Sequence, residues 1–188
     1  MPRRLGATML AALVAGTIAG CGADQGTTPP PLQATGTSTG CRDGQGYQHA
    51  TLAYRLCYPN GWTSRDYTAE PGAGGALSVV AFGPPSAVPA HVPSQTAYAP
   101  PVAVRVVAGA KDTQEASLVQ GNPVTQIQVA GVQADRIEVT ESGPAAGAIY
   151  VVLEHQGNTY EIEKAPGATY AGDFQKILDS FTFSAASN

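Results

Sequence analysis

The first twenty residues of this chain are typical of a secretory signal peptide and not of a folded domain. Arg3 and Arg4 form a basic start, and residues 5–19 are an uncharged apolar run rich in Ala, Leu and Val. The run is shorter than the roughly 20 apolar residues that a transmembrane helix needs. We therefore expect residues 1–20 to be removed on export and to contribute nothing to the mature fold.

The residues that end this run predict lipidation. Ile18, Ala19 and Gly20 directly before Cys21 resemble a bacterial lipobox, in which the cysteine is acylated and becomes the new N-terminus. The alternative is ordinary secretion with an incidental cysteine, but all four features of a lipoprotein signal occur here in the required order. Two or more acyl chains anchor a protein stably. We expect Cys21 to hold the protein on the extracytoplasmic face of a cell membrane.

The segment from the lipidated cysteine to residue 40 is predicted to be a flexible tether. Residues 22–40 are mostly Gly, Thr, Pro, Ser, Ala and Gln, so they cannot bury enough apolar surface to offset the entropy of ordering. Residues 41–188 remain, a length suited to one domain. Without Arg3 and Arg4 the chain has eight basic and fourteen acidic residues, a net charge of −6. This charge argues against nucleic acid as a partner.

Two cysteines remain for the domain, Cys41 and Cys57. In an exported protein a pair of thiols usually closes into a disulfide. Zinc binding is the competing interpretation, but two cysteines without a CxxC spacing and without a nearby histidine pair make a poor zinc site. The sequence therefore predicts a Cys41–Cys57 disulfide.

Most of the domain has the patterns of strands. Alternating apolar residues in 51–59 and the β-branched runs 76–83 and 102–109 indicate buried strands. Two hairpins are expected, one turning at Ala130-Gly131 and one around residues 156–158.

Two helices complete the pattern. Residues 111–121 read as a short helix with Asp112 as N-cap, Glu115 in a capping box and Gly121 as stop. Asp173 is expected to cap a terminal helix whose apolar stripe is Phe174, Ile177, Leu178 and Phe181. These elements predict an α+β domain in which an antiparallel β-sheet is flanked by helices.

Three segments of this domain resemble the PsbP-like domains: "YRLCYPNGW", "VAGVQADRIEVT" and "FQKILDSFTF". The chain also resembles the LpqN-type envelope lipoproteins of actinobacteria in its Ala, Gly and Pro content. The resemblance implies an α/β/α sandwich without catalysis, since characterised relatives bind proteins, ions or lipids. The Pro-rich loop 84–101 and the cysteine pair depart from the family pattern.

One charged group stands out, formed by Glu154, Glu161 and Glu163. If the second hairpin turns at Gly157-Asn158, Glu154 lies directly opposite Glu161, with Glu163 on the same face. Clustered carboxylates are suited to a hard cation. The alternative is an acidic solvent-exposed face, which Arg136 and Lys164 could also neutralise.

The Pro-rich loop gives the candidate binding surface, with Trp62, His91 and Tyr98. The simpler interpretation of Trp62 is core at the sheet edge, and that of His91 is a solvated residue. The apolar run 76–85 could line a cleft for an acyl chain beneath the loop, or be ordinary sheet.

No motif in the sequence indicates catalysis, since it holds no G-x-S-x-G elbow and no P-loop. His49, His91 and His155 are isolated in sequence and lack metal-ligand spacing. We expect no enzyme activity, no cofactor and no catalytic residue. The prediction is a lipid-anchored binding or accessory module for an envelope protein or a lipid. The alternatives are an envelope enzyme with an unrecognised site and a surface antigen without ligand.

Overall fold

The structure is a computed structural model that describes residues 40–93 and 98–184. The expected signal peptide, Cys21 and nearly all of the tether lie outside the described residues. Within the described part the chain forms strands and two α-helices in the following order: β1 (Gly44–Gln48), β2 (Tyr54–Pro59), β3 (Thr63–Asp66), β4 (Ser78–Gly83), β5 (Val102–Ala108), α1 (Lys111–Val119), β6 (Val124–Val129), β7 (Val132–Glu138), β8 (Ile149–His155), β9 (Asn158–Lys164), α2 (Ala171–Ser180) and β10 (Thr182–Phe183).

The strands form two antiparallel sheets. The large sheet has seven strands in the order β3-β4-β5-β9-β8-β7-β6, so that β9 lies between β5 and β8 at its centre. The small sheet has the order β1-β2-β10. Because strand residues alternate between faces, the large sheet has two faces of different composition.

The inner face of the large sheet, the one that carries Val104, Val151 and Ile162, builds the main core. These three side chains are fully buried and pack with residues of the small sheet and of α2. The alternating pattern expected for 51–59 is confirmed, because Tyr54, Leu56 and Tyr58 are buried in this core. It also holds these aromatic and aliphatic side chains: Phe82, Tyr160, Phe174, Ile177, Leu178 and Phe181.

The predicted disulfide is confirmed. Cys41 and Cys57 are bonded, with their Cα atoms 5.7 Å apart, and the bond ties the residues before β1 to the middle of β2. The segment between the two cysteines contains β1 and the first half of β2, so the disulfide closes a loop that is already part of a hairpin of the small sheet.

The terminal helix α2 buries the expected stripe. Phe174, Ile177 and Leu178 are buried, and Phe181 follows directly after the helix and is buried as well. The predicted cap is wrong: the helix begins at Ala171, so Asp173 lies in its first turn and not before it. A carboxylate at this position still interacts favourably with the positive end of the helix dipole.

The short helix α1 packs on the opposite, outer face of the large sheet, against β8 and β9. It begins at Lys111, one residue before the expected cap Asp112, and no side chain within the helix caps it. Its end agrees with the expected stop, since Gly121 follows with a positive φ of 89°. With one helix on each face of an antiparallel sheet, the predicted α+β class is confirmed.

Both expected hairpins are present. The first turns at Ala130 and Gly131 (φ 53° and 76°), and the second at Gln156 and Gly157 (φ 51° and 75°). Two consecutive positive φ values are characteristic of the two-residue type I′ turn. Each turn therefore sets the register of the strands that it joins.

Candidate functional site

The centre of the outer face carries two neighbouring carboxylates, Glu161 and Glu163 of β9. The register places Glu161 between Val152 of β8 and Arg105 of β5. Glu163 lies between Tyr150 of β8 and Ala103 of β5. Because paired strand residues point to the same face, we define the outer-face cluster as Glu161, Glu163, Tyr150 and Arg105.

The two carboxylates of the outer-face cluster are partly buried, and this burial disfavours their ionised forms. Burial, and after it the nearby charge of Glu161, raise the pKa of Glu163 to about 7, although the Tyr150 hydroxyl and Arg105 act to lower it. Burial also raises the pKa of Glu161, and Arg105 opposes this. Burial together with the two carboxylates raises the pKa of Tyr150 to about 12. Glu163 therefore exchanges a proton near neutral pH.

The expected opposition of Glu154 and Glu161 is wrong. The second hairpin turns at Gln156-Gly157, one residue earlier than the assumed turn, so Glu154 pairs with Thr159. Glu154 is exposed at the end of β8, where its Oε2 accepts a hydrogen bond of 3.2 Å from the backbone N–H of Lys111. It thus caps α1 from another element.

The expected neutralising residues are also wrong, since Arg136 and Lys164 lie on the inner-face side of their strands. Lys164 is only 1 % exposed, and its ammonium donates to three backbone carbonyl oxygens, those of Gly147, Ala165 and Gly167. Arg136 Nη2 lies 3.7 Å from Glu138. The cation that faces the two glutamates is instead Arg105.

A second charged group joins α1 to the sheet. Lys111 Nζ hydrogen bonds the buried carboxylate of Asp135 and lies 3.7 Å from Glu115 Oε2. The hydrogen bond that Lys111 donates to Asp135 raises the pKa of Lys111. Burial raises the pKa of Glu115, and the nearby Asp135 adds to this. These contacts hold α1 on the outer face, so this group has a structural role.

The Pro-rich loop packs on the outer face next to β3 and β4. Tyr67 donates a 2.6 Å hydrogen bond to the carbonyl of Pro89, and Tyr98 donates a 2.9 Å bond to the carbonyl of Ala87. Val88 is buried beneath the loop with Tyr67 and Ala81, and Tyr98 packs at the rim of this cluster. The described parts of the loop, 84–93 and 98–101, therefore form a surface held in place by side chains.

The remaining candidate residues, His91 and Trp62, have different contacts. His91 is 84 % exposed on the Pro-rich loop, with Nδ1 2.9 Å from Glu70 Oε1. Trp62 is half-buried against the main core, with its ring edge to face with Tyr170 at 5.7 Å. This position agrees with the core interpretation, because Trp62 packs with the main core, whereas Tyr98 packs with the separate cluster beneath the Pro-rich loop.

The described residues contain no group of three or more His, Cys, Asp or Glu side chains arranged to hold a metal ion. They do form an open cavity of about 480 Å³ between the β6–β7 hairpin and α2. It is lined by apolar and charged side chains, among them Ile127, Leu178, Arg136 and Asp179, and by none of the outer-face cluster. No helix within residues 40–93 and 98–184 is long and apolar enough to cross a membrane.

Sequence reasoning missed Arg105 and Tyr150. Neither belongs to a motif, and each reaches the glutamates only because β9 pairs with β5 on one side and β8 on the other. The pairing of β8 with β9 was readable from the short turn. The pairing of β5 with β9 connects residues at least fifty positions apart, for which the sequence holds no local signal.

Comparison with known proteins gives limited similarity. No family model matches the chain, and no curated protein matches it. The solution structure of cyanobacterial PsbP (CyanoP) from Synechocystis sp. PCC 6803 is similar at 16% identity and a TM-score of 0.45, covering 82% of this chain and 100% of that chain. A crystal structure from Bacteroides thetaiotaomicron VPI-5482 is similar at 12% identity and a TM-score of 0.49, covering 78% of this chain and 50% of that chain. The chain thus has low-identity similarity to a PsbP structure.

Proposed function

We propose that this chain is a lipid-anchored, extracytoplasmic lipoprotein of the LpqN type that acts as a non-catalytic binding module for an envelope protein or lipid. The anchoring part depends on the sequence, through the apolar run, the lipobox and the tether that precede the domain. The binding part depends on the outer face of the large sheet. There the Pro-rich loop provides the surface that a partner contacts.

The observation that carries the proposal is the way in which the Pro-rich loop is held. Two tyrosine hydroxyls bond to its backbone and Val88 is buried beneath it, whereas Ala90 and His91 remain exposed. A long connection with its own packing is more often functional than a bare linker. A preformed surface also loses less conformational entropy when a partner binds.

Site-specific photo-crosslinking in intact cells tests the binding surface. A photoreactive amino acid at Ala90, which is exposed on the loop, is expected to give a distinct adduct of a protein or a lipid. The matched control is the same amino acid at Lys176, which is 77% exposed on α2. Equal adduct patterns at the two positions, or no adduct at Ala90, would contradict the proposal.

The anchor has its own test. Cys21→Ala removes the acylated thiol, so we expect the chain to move from the membrane fraction to the soluble extracytoplasmic fraction or to remain uncleaved. Metabolic labelling with a fatty acid should mark the unsubstituted chain and not the variant. Labelling of both proteins would argue against Cys21 as the acylated residue.

One observation favours the alternative of an envelope enzyme. A carboxyl group whose pKa lies near 7 beside a tyrosine and an arginine is suited to general acid–base chemistry. Incubation with an envelope extract, followed by mass spectrometry, distinguishes the two functions. Products that form with the unsubstituted chain and disappear with Glu163→Gln would support the enzyme and refute the binding module.

A further inference from the structure

The two edges of the large sheet differ in a way that points to an interaction. The edge strand β3 has four residues, of which Arg65 and Asp66 are charged. The opposite edge strand β6 has six residues, "VTQIQV", without charge or proline, and pairs with β7 without a bulge. Proteins usually protect edge strands with charges, prolines, bulges or short length. Strand β6 has none of these protections.

The hairpin geometry shows which backbone groups of β6 are free to pair. Its two-residue turn makes Val129 and Val132 a hydrogen-bonded pair, and the N–H of Glu138 bonds the carbonyl of Pro123. Hydrogen-bonded pairs alternate along an antiparallel ladder, so the odd-numbered residues of β6 bond to β7. The N–H and C=O groups of Gln126 and Gln128 therefore point away from the sheet.

We propose that β6 pairs antiparallel with β6 of a second copy of this chain, with Ile127 opposite its own counterpart across a two-fold axis. If the two-fold axis is perpendicular to the sheet, the inner faces of both copies lie on the same side. Two opposed residues must then both have odd numbers or both have even numbers. The register centred on Ile127 sets Gln126 against the second copy's Gln128 on the outer face. Side-chain amides can then hydrogen bond each other, while the two isoleucines meet on the inner face. A register centred on Gln126 would instead place the apolar Ile127 opposite the polar Thr125, which is a less favourable contact.

The lack of charge on β6 allows a second copy of the chain to pair with this edge. A two-fold interface brings each surface against itself, so a charged patch would repel its own copy. Strand β6 is uncharged in a chain whose net charge is −4. The cavity beside it contains one basic and one acidic side chain, Arg136 and Asp179, and so contributes no net charge. Five paired residues in each strand alone make a small interface, so we expect association to depend on local concentration at the membrane.

Cysteine crosslinking in membranes of a lipoprotein-processing host tests the register with the full-length chain. In a non-hydrogen-bonded pair the Cα atoms of Ile127 and its counterpart lie about 4.5 Å apart, within the range that a disulfide spans. Thr125→Cys is the matched control, because Thr125 lies on the same face but roughly 14 Å from its own copy in this register. With a mild oxidant, Ile127→Cys should give at least about tenfold more covalent dimer than Thr125→Cys or the unsubstituted chain.

Equal crosslinking of the two variants, or none by Ile127→Cys, would overturn the proposal. A crosslinked product with a mass other than twice that of the chain would also overturn it, since the edge would then bind a different protein.

A charge variant provides an independent test. Gln126→Lys with Gln128→Lys, added to Ile127→Cys, opposes like charges across the axis, and we expect dimer yield to fall at least about fivefold. Both side chains are exposed, so the domain should keep its circular dichroism spectrum. Thr113→Lys with Ala116→Lys on α1 adds the same charge at exposed positions and should leave the yield unchanged. An equal fall with both pairs would refute edge pairing.

Discussion

Replacing Glu163 with glutamine should stabilise the domain, by an amount that grows as the pH rises from about 4.5 to 7. Glu163 lies at the centre of the outer face, with Glu161 on the same strand, Tyr150 on β8 and Arg105 on β5. Glutamine has nearly the same size and keeps hydrogen-bonding groups, but it carries no charge. The substitution therefore removes the ionisation of this position and little else.

The magnitude follows from the pKa of Glu163, which burial raises from 4.5 to about 7. Since one pKa unit corresponds to 1.36 kcal/mol, ionising this buried group costs the folded state about 3 kcal/mol. The cost is absent below pH 4.5, where the carboxyl is protonated in both the folded and the unfolded state. It grows as the pH rises to 7 and is complete above it, so stability is lost over this window.

Urea unfolding at constant ionic strength between pH 4 and pH 9 measures the effect. Glu163→Gln should match the unsubstituted domain within about 0.5 kcal/mol at pH 4 and exceed it by up to about 3 kcal/mol at pH 8. The control is Glu141→Gln on the exposed loop after β7, where we expect a change within about 0.5 kcal/mol at both pH values. A difference for Glu163→Gln that is the same at pH 4 and pH 8 would refute the reasoning.

Three further substitutions probe the framework of the domain. Replacing Cys41 and Cys57 with serine opens a loop of sequence separation 16, and the urea midpoint should report a loss of about 3 kcal/mol; a loss below about 1 kcal/mol would contradict this. Lys164→Met keeps an apolar side chain of similar length but removes the donor to three backbone carbonyls, so it should lower the free energy of unfolding by about 3 kcal/mol in the same assay. An unchanged midpoint would show that the hydrogen bonds of the buried ammonium do not stabilise the fold. Glu154→Gln removes a charge at the start of α1 and should cost about 0.5 kcal/mol, with faster hydrogen exchange confined to α1; uniform or unchanged exchange would count against the cap.

The elements that sequence predicted correctly are those defined by local periodicity or local chemistry. The stripe of Phe174, Ile177 and Leu178 repeats with the period of a helix, so one buried face satisfies all three residues. Ala130 and Gly131 stand between two strand patterns separated by the two residues that a type I′ turn requires. In these cases the structure depends on residues close together in the chain.

The predictions that failed depended on single-residue offsets or on distant partners. Moving the second turn by one residue changed the partner of Glu154 from Glu161 to Thr159. The local sequence predicts Asp112 as the cap of α1, but the carboxylate that caps this helix is that of Glu154, on a strand 43 residues away. Lys164 follows Glu163 directly in β9, so it points to the other face of the sheet and cannot neutralise the glutamates.

The ionised form of Glu163 also provides a way to choose between the proposed functions. A binding partner that brings a cation to the outer face would relieve the repulsion between Glu161 and Glu163, so it should stabilise the domain at pH 8 and not at pH 4. Calcium is a simple probe of the cation interpretation, since it prefers carboxylate oxygens. Stabilisation that disappears with Glu163→Gln would assign the outer-face cluster to binding. If calcium has no effect while Glu163→Gln abolishes product formation, the proton on Glu163 itself is the functional species, and the enzyme becomes the better account.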